Sequence, residues 1–273
     1  MAIENINGTD LYYLTIGRGI PCLVMHGGLG LDHTCFHPWL DPLGDALQLV
    51  YYDHRGNGRS GRPPAETMTL DQFAADADAL SDHLGFKKVA ALGHSVGGFI
   101  AMKFALLHPE RVSHLILVDT TPAFNYVDDA IVRARRRGAT DKMLAALQAP
   151  ASSDDDELKA LFRLILPLYF HKYDASEAER FTKDVIVSAF AGARNEVLMP
   201  DYDVTSQLSE IRAATLILVG RDDFICPPSQ AEIIHRGIAN SKLVVFERSG
   251  HYPHVEEPEA FIETVRSWFA RQT

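Results

Sequence analysis

Hydrophobic positions along this chain fall into two spacings that take turns. Near the start, the alternating runs "IENI" from Ile3 and "DLYYLTI" from Asp10 flank Asn7-Gly8. Alternation buries one face of a strand, and Asn-Gly supplies the positive φ angles of a tight hairpin, so the chain is predicted to open with antiparallel strands. Shorter, nearly continuous apolar runs follow at "CLVM" from Cys22, "QLVYY" from Gln48, "KVAAL" from Lys88, "HLILV" from His114, "TLILV" from Thr215 and "LVVF" from Leu243. Each has the length of a strand buried on both faces. Between most of them lie helical periodicities, over Leu70 to Leu84, Val96 to His108, Ser229 to Gly237 and Pro258 to Arg271.

Strand and helix in alternation require crossover connections, so the expected fold class is α/β: a mostly parallel, eight-stranded sheet with helices on both faces. One stretch breaks the alternation. From about Pro122 to Pro200 the patterns are helical, in "DDAIVRARRRGATDKMLAALQ", "DDDELKALFRLILPLYFHKY" and "SEAERFTKDVIVSAFAG", with no convincing strand. We read three or four helices there, forming a cap domain of residues 122–200 inserted into a core domain of residues 1–121 and 201–273. Such a cap would cover the carboxyl edge of the sheet, where open α/β sheets bind ligands. "APASSDDDE" from Ala149 reads as an exposed loop ending in a helix N-cap, and "RARRR" from Arg133 as a solvated helix face.

Composition narrows the class. The 273 residues carry 26 basic and 36 acidic side chains, a formal net charge of −10, which disfavours a nucleic-acid partner. No basic leader precedes an apolar run, and no stretch reaches the ~18 apolar residues of a membrane span. We therefore expect a soluble, cytoplasmic protein without a membrane partner. Cys22, Cys35 and Cys226 are odd in number and far apart, which suggests reduced core thiols rather than disulfides or a metal site.

The candidate chemistry starts at "GHSVG", Gly93 to Gly97, which lies between a strand run and a helix run. That context fits a nucleophile elbow, with Ser95 on a strained turn and glycines where a side chain would meet facing backbone. An ordinary helix N-cap serine is the plainer alternative. Serine is a weak nucleophile at neutral pH and needs a base, which in turn needs an orienting acid. "FERSGHYPHVEEPEAF" ends the eighth strand with His251 in a Ser-Gly-His turn, and "LVGRDDFICPP" ends the seventh with adjacent aspartates. His94, His254 and His26 are read as packing, rim or loop-holding residues. For the acid, spacing leaves Asp222, Asp223 and Asp119 open.

With "HGGLG" from His26, "DHRGNGRS" from Asp53, "GHSVG", "GRDDFICP" from Gly220 and "SGHYPHVEEPEAF" from Ser249, nearly the whole chain resembles the α/β-hydrolase superfamily. Within it, the chain is similar to proline iminopeptidase-like proteins, small esterases and lactonases. The resemblance implies the α/β-hydrolase fold and selects Asp223, three residues after Gly220 with Pro227 following. It also implies that "HGGLG" is an oxyanion element, with backbone N–H groups of Gly28 and Val96 as donors. "DHRGNGRS" leads into "GRPP" rather than a helix, so it is a structural loop and not a phosphate cradle.

The expected reaction is hydrolysis through an acyl-enzyme on Ser95, with water as second substrate and no metal or organic cofactor. Leu29, Phe124, Tyr126, Tyr169, Phe190 and Met199 are candidate pocket residues, with Leu166, Phe170 and Leu198 beside them. An apolar lining favours a neutral, partly apolar ester or lactone. Two rivals stand beside this: an aminopeptidase for N-terminal proline, for which Glu196 could receive the amino group although "HGGLG" departs from the usual "HGGPG", and a small-molecule binding protein without turnover. The sequence leaves the oligomeric state open.

Overall fold

A computed structural model describes residues 1–124 and 127–272. Eight strands form one sheet: β1 (Ala2–Ile6), β2 (Thr9–Gly17), β3 (Ile20–Met25), β4 (Leu47–Tyr52), β5 (Val89–His94), β6 (Val112–Val118), β7 (Ala214–Gly220) and β8 (Ser241–Phe246). Their order is β1-β2-β4-β3-β5-β6-β7-β8. β1 and β2 pair antiparallel, as do β2 and β4, and every other pairing is parallel. Asn7 (φ 51°) and Gly8 (φ 79°) make the opening hairpin.

The continuous apolar runs are explained by the two faces they bury. Leu23, Met25, Ala91, Leu115, Leu117, Ile217 and Val219 point to one layer, packed on α1 (Leu70–His83) and α2 (Val96–Leu107) through Phe73, Leu80, Phe99 and Phe104. Their neighbours Val24, Leu92, Ile116 and Leu218 point to the other, where Phe261, Val265 and Trp268 close the core. Period two therefore splits each strand between two hydrophobic layers.

The segment between β6 and β7 holds α3 (Val127–Arg136), α4 (Asp141–Leu147), α5 (Asp155–Ile165), α6 (Ala175–Thr182), α7 (Ala189–Gly192) and α8 (Asn195–Leu198). These are more and shorter helices than the three or four expected. Local polar caps divide the pattern: Asp154, Asp174 and Ser188 each accept N–H bonds from the first turn of α5, α6 and α7. The ends of the segment meet at a bridge between Ala123 and Asp203, with Val204 N–H donating to Pro122 O at 2.8 Å. The basic run is not simply a solvated face. Arg133 donates to Phe224 O, and Arg137 donates to Leu168 O and Phe170 O.

After β7 and β8 come α9 (Pro228–Gly237), α10 (Pro253–Glu256) and α11 (Pro258–Phe269). No helix among the described residues is long and apolar enough to cross a membrane. The loop after β4 is fixed from below by Arg55, buried and doubly bonded to Asp76 on α1, with a further bond to Asn7 O. Removing one member of such a pair strands the other charge in the interior. Arg55→Met is expected to lower unfolding free energy by about 3–5 kcal/mol, read from the urea midpoint at unchanged slope.

Candidate active site

Ser95 takes φ 51° and ψ −120°, a conformation that L-residues rarely adopt. The surrounding backbone leaves no room for side chains at the flanking glycines. A Cβ on Gly93 would sit 2.3 Å from Gly97 O, and one on Gly97 only 2.1 Å from Met25 O. Hydrogen bonds hold the turn from both sides: Ser95 N–H donates to Val118 O at 3.0 Å, and Thr120 Oγ1 donates to Ser95 O at 2.7 Å. Strain of this kind persists only where neighbours over-determine it.

His251 follows β8. Its Nδ1 lies 2.7 Å from Asp223 Oδ2, and Asp223 Oδ1 accepts the N–H groups of Ile225 and Cys226, both at 2.9 Å. Both side chains are buried. The three aspartates that spacing left open thus separate geometrically. Asp223 meets the imidazole, Asp222 turns to His171 Nδ1 (2.6 Å) and Arg137 (3.4 Å), and Asp119 accepts from Gly220 N–H (2.8 Å).

The backbone of His251 is gripped as well. Its N–H donates to Tyr169 O at 2.6 Å, and its carbonyl accepts from His94 Nε2 at 2.9 Å. Burial drives the His94 pKa well below the ordinary range, so the ring is neutral and carries its proton on Nε2. His254 Nε2 donates to Cys35 O, and His26 Nε2 accepts from His54 N–H.

Ser95 and His251 open onto one cavity of about 500 Å³. Gly28, Val96, Leu29, Phe124, Tyr169 and Met199 border it. Gly28 has φ 53°, and Val96 opens α2, where helix N–H groups lack intrahelical acceptors. Phe190 must be corrected. Gly192 of the same short helix faces the cavity, and a residue two positions away lies on the opposite side, so Phe190 is 39% exposed beside Gly56. Leu166 and Phe170 are buried with Tyr252 and Val255 instead, and Leu198 packs on the main core. Tyr126 lies outside the described residues. Sequence reasoning missed Leu158, Leu161, Phe162 and Ile165, a stripe of α5 that lines the cavity, although their helical spacing was visible. It also missed Ile225 and the carbonyl of Tyr169; a backbone contact leaves no trace in residue type.

Glu196 is the one carboxylate on the cavity wall among the described residues, and its Oε1 accepts from Ala151 N–H at 2.5 Å. A larger groove of about 710 Å³ lies elsewhere, lined by Tyr12, His33, Trp39, Arg59 and Arg180, and touches none of Ser95, Asp223 or His251. Two clusters have the donor chemistry of cation ligands. In Asp223, Cys226 and His251 the carboxylate is already taken by three donors; in Asp32, His33 and Asp53 the Arg59 guanidinium sits 2.8 Å from Asp32 and already supplies the positive charge.

Glu256 ties this region together, accepting from Gly250 N–H (2.6 Å) and His171 N–H (2.7 Å). Burial raises its pKa to about 7, against these hydrogen bonds and the nearby His171. A carboxyl whose folded pKa exceeds its unfolded value gives its full stabilisation below the unfolded pKa and loses it as pH rises through the folded one. The stability difference between the wild type and Glu256→Gln, which cannot titrate, is therefore expected to fall from about pH 4.5 to pH 7. Urea denaturation across that window checks it; a constant difference contradicts it.

Residues 21–258 match the alpha/beta hydrolase fold family. The chain is 30% identical to a proline iminopeptidase of Pestalotiopsis fici over 96% of both chains, and 29% identical to a proline iminopeptidase of Lactobacillus crispatus over 96% of this chain and 94% of that one. Among solved structures it is similar to an esterase of Exiguobacterium antarcticum, with TM-score 0.78, 27% identity and 97% of each chain covered. With this match, its sheet order and its motifs in sequence, the chain belongs to the α/β-hydrolase family.

Proposed function

We propose that this hydrolase cleaves small, partly apolar carboxylic esters or lactones, with Ser95 as nucleophile. The observation that carries the reading is the meeting of a strained Ser95 and the Asp223-bonded His251 at a single cavity whose walls are chiefly apolar. In this reading residues 122–200 are the cap, and residues 1–121 and 201–273 the core that holds the reacting groups.

The substrate carbonyl would rest against Ser95, its acyl or alcohol part on Leu29, Leu161, Phe162 and Met199. His251 Nε2 takes the Ser95 proton as Oγ attacks, and Asp223 fixes the ring with Nδ1–H directed at its carboxylate and offsets the imidazolium charge. Negative charge developing on the carbonyl oxygen is received by the N–H groups of Gly28 and Val96, each worth about 3 kcal/mol in a transition state of this kind. His251 then protonates the leaving alcohol, and water attacks the acyl-enzyme by the same route in reverse. A serine at the elbow, where a dehalogenase would need a carboxylate, keeps the reading within acyl transfer.

A second reading, aminopeptidase action on N-terminal proline, is favoured by the similarity to the fungal and lactobacillar proline iminopeptidases. It requires a carboxylate for the free amino group, and Glu196 is the group in place, though it is engaged by Ala151 N–H. A panel of nitrophenyl esters, acyl lactones and prolyl-naphthylamide separates the two: the ester reading expects kcat/KM for a short-chain ester or a lactone to exceed that for the prolyl amide, and the reverse order assigns the protein to the second reading. In the same panel Ser95→Ala is expected to lose roughly 10⁴–10⁶ in rate; full turnover by this variant contradicts both.

A further inference from the structure

Asp119 is an acid that the scheme above does not use. It follows β6 in a left-handed conformation (φ 44°) and has no exposed surface. Its Oδ1 accepts from Gly220 N–H at 2.8 Å, while Oδ2 is buried with no donor facing it. The neighbouring carboxylate is that of Asp223: Gly220, whose N–H Asp119 accepts, in turn accepts the Asp223 N–H at 3.2 Å, so one residue ties the two aspartates side by side. Two carboxylates can share a hydrogen bond only if one of them is protonated.

Donor supply decides which one. Asp223 accepts from Ile225 N–H, Cys226 N–H and His251 Nδ1, and each bond favours its anion; Asp119 accepts a single N–H. A second negative charge in the same dry space would find no matching cation when His251 becomes an imidazolium, whereas one charge against one is balanced. We propose that Asp119 is a neutral carboxylic acid whose O–H donates to Asp223 and holds that carboxylate in line with His251. Asp119 is thus a positioning residue, and this role rests on the triad reading given above. Burial, then the charge of Asp223, push the Asp119 pKa well above the carboxylate range, in agreement. The other titratable groups that act here are Glu256 from α10, Tyr252, Tyr169 and Cys226, with His251 itself.

Asn reproduces a protonated Asp: its oxygen can accept from Gly220 and its amide can donate to Asp223. Asp119→Ala removes both bonds. For the best ester substrate, Asp119→Ala is expected to lower kcat about 10–100-fold with little change in KM, the range seen when a group that orients a site residue is lost. Asp119→Asn is expected to restore kcat to within about threefold of wild type and to leave the acid limb of the pH–kcat/KM profile unmoved, because no charge is lost. If Asn lowers kcat as far as Ala, or shifts the acid limb down as removal of a negative charge near His251 must, Asp119 is ionised and the proposal fails.

A second measurement does not depend on turnover or on the folding of the Ala variant. At about pH 9, where Glu256 with its pKa of about 7 is ionised, the infrared difference spectrum of wild type minus Asp119→Asn is expected to contain the C=O stretch of a protonated carboxyl. Its absence overturns the proposal. A protein that gives this band but turns over no ester, lactone or prolyl amide removes the hydrolytic reading instead, so the two failures are distinct.

Discussion

The constraint on which the site depends is steric: the start of α2 runs so near the end of β3 that no side chain fits between them. Gly97 lies where a Cβ would be 2.1 Å from Met25 O, and Gly98 where one would be 2.3 Å from Thr120 Oγ1. That contact forces the chain to reverse within one residue and places Ser95 in a conformation it would not choose alone. The same closeness puts the N–H groups at the start of α2 beside the loop that carries Gly28. Packing of sheet on helix and presentation of the hydroxyl are thus one event. A turn relaxed enough to accept ordinary residues would point Ser95 elsewhere.

His251 is held by a different principle. It sits on a loop, where side chains are ordinarily more mobile than on strands. Here the loop is tied to three elements: His94 beside Ser95, Tyr169 from the helical segment, and Glu256 through Gly250. The neutral state of His94 matters to this arrangement, since a cationic ring packed 4.4 Å from the His251 ring would oppose the formation of an imidazolium.

Much of the fold was legible in the chain because two-sided burial writes a continuous apolar run, and the crossover helices write a 3.6-residue period between such runs. "GHSVG" was legible for a steric reason, as only glycine tolerates those approaches. The region between β6 and β7 was harder to read. Its helices start at polar caps such as Asp174 and Ser188, which in sequence look like ordinary surface residues, and amphipathic spacing does not say which neighbour an apolar face will meet. So the sequence reading names Phe190 and passes over Phe162, yet Phe162 lines the cavity and Phe190 is exposed beside Gly56. Spacing alone did not choose among Asp119, Asp222 and Asp223, since each follows a strand end; the family resemblance pointed to Asp223, and in three dimensions the partners distinguish the three.

The bridge between Ala123 and Asp203 has a consequence for how such a protein can change over generations. The excursion starts and finishes at one point beyond the end of β6, and residues Thr205–Glu210 then lead back to the start of β7, so the register of β6 against β7 is indifferent to how many residues lie in the excursion. Insertions, deletions and helix replacements there alter the walls around a ligand while leaving the strand termini untouched. What the excursion lends to the backbone of His251 is the carbonyl of Tyr169, a group that every amino acid supplies. On the proposed reading, selectivity is therefore free to drift quickly while Ser95 and His251 stay put.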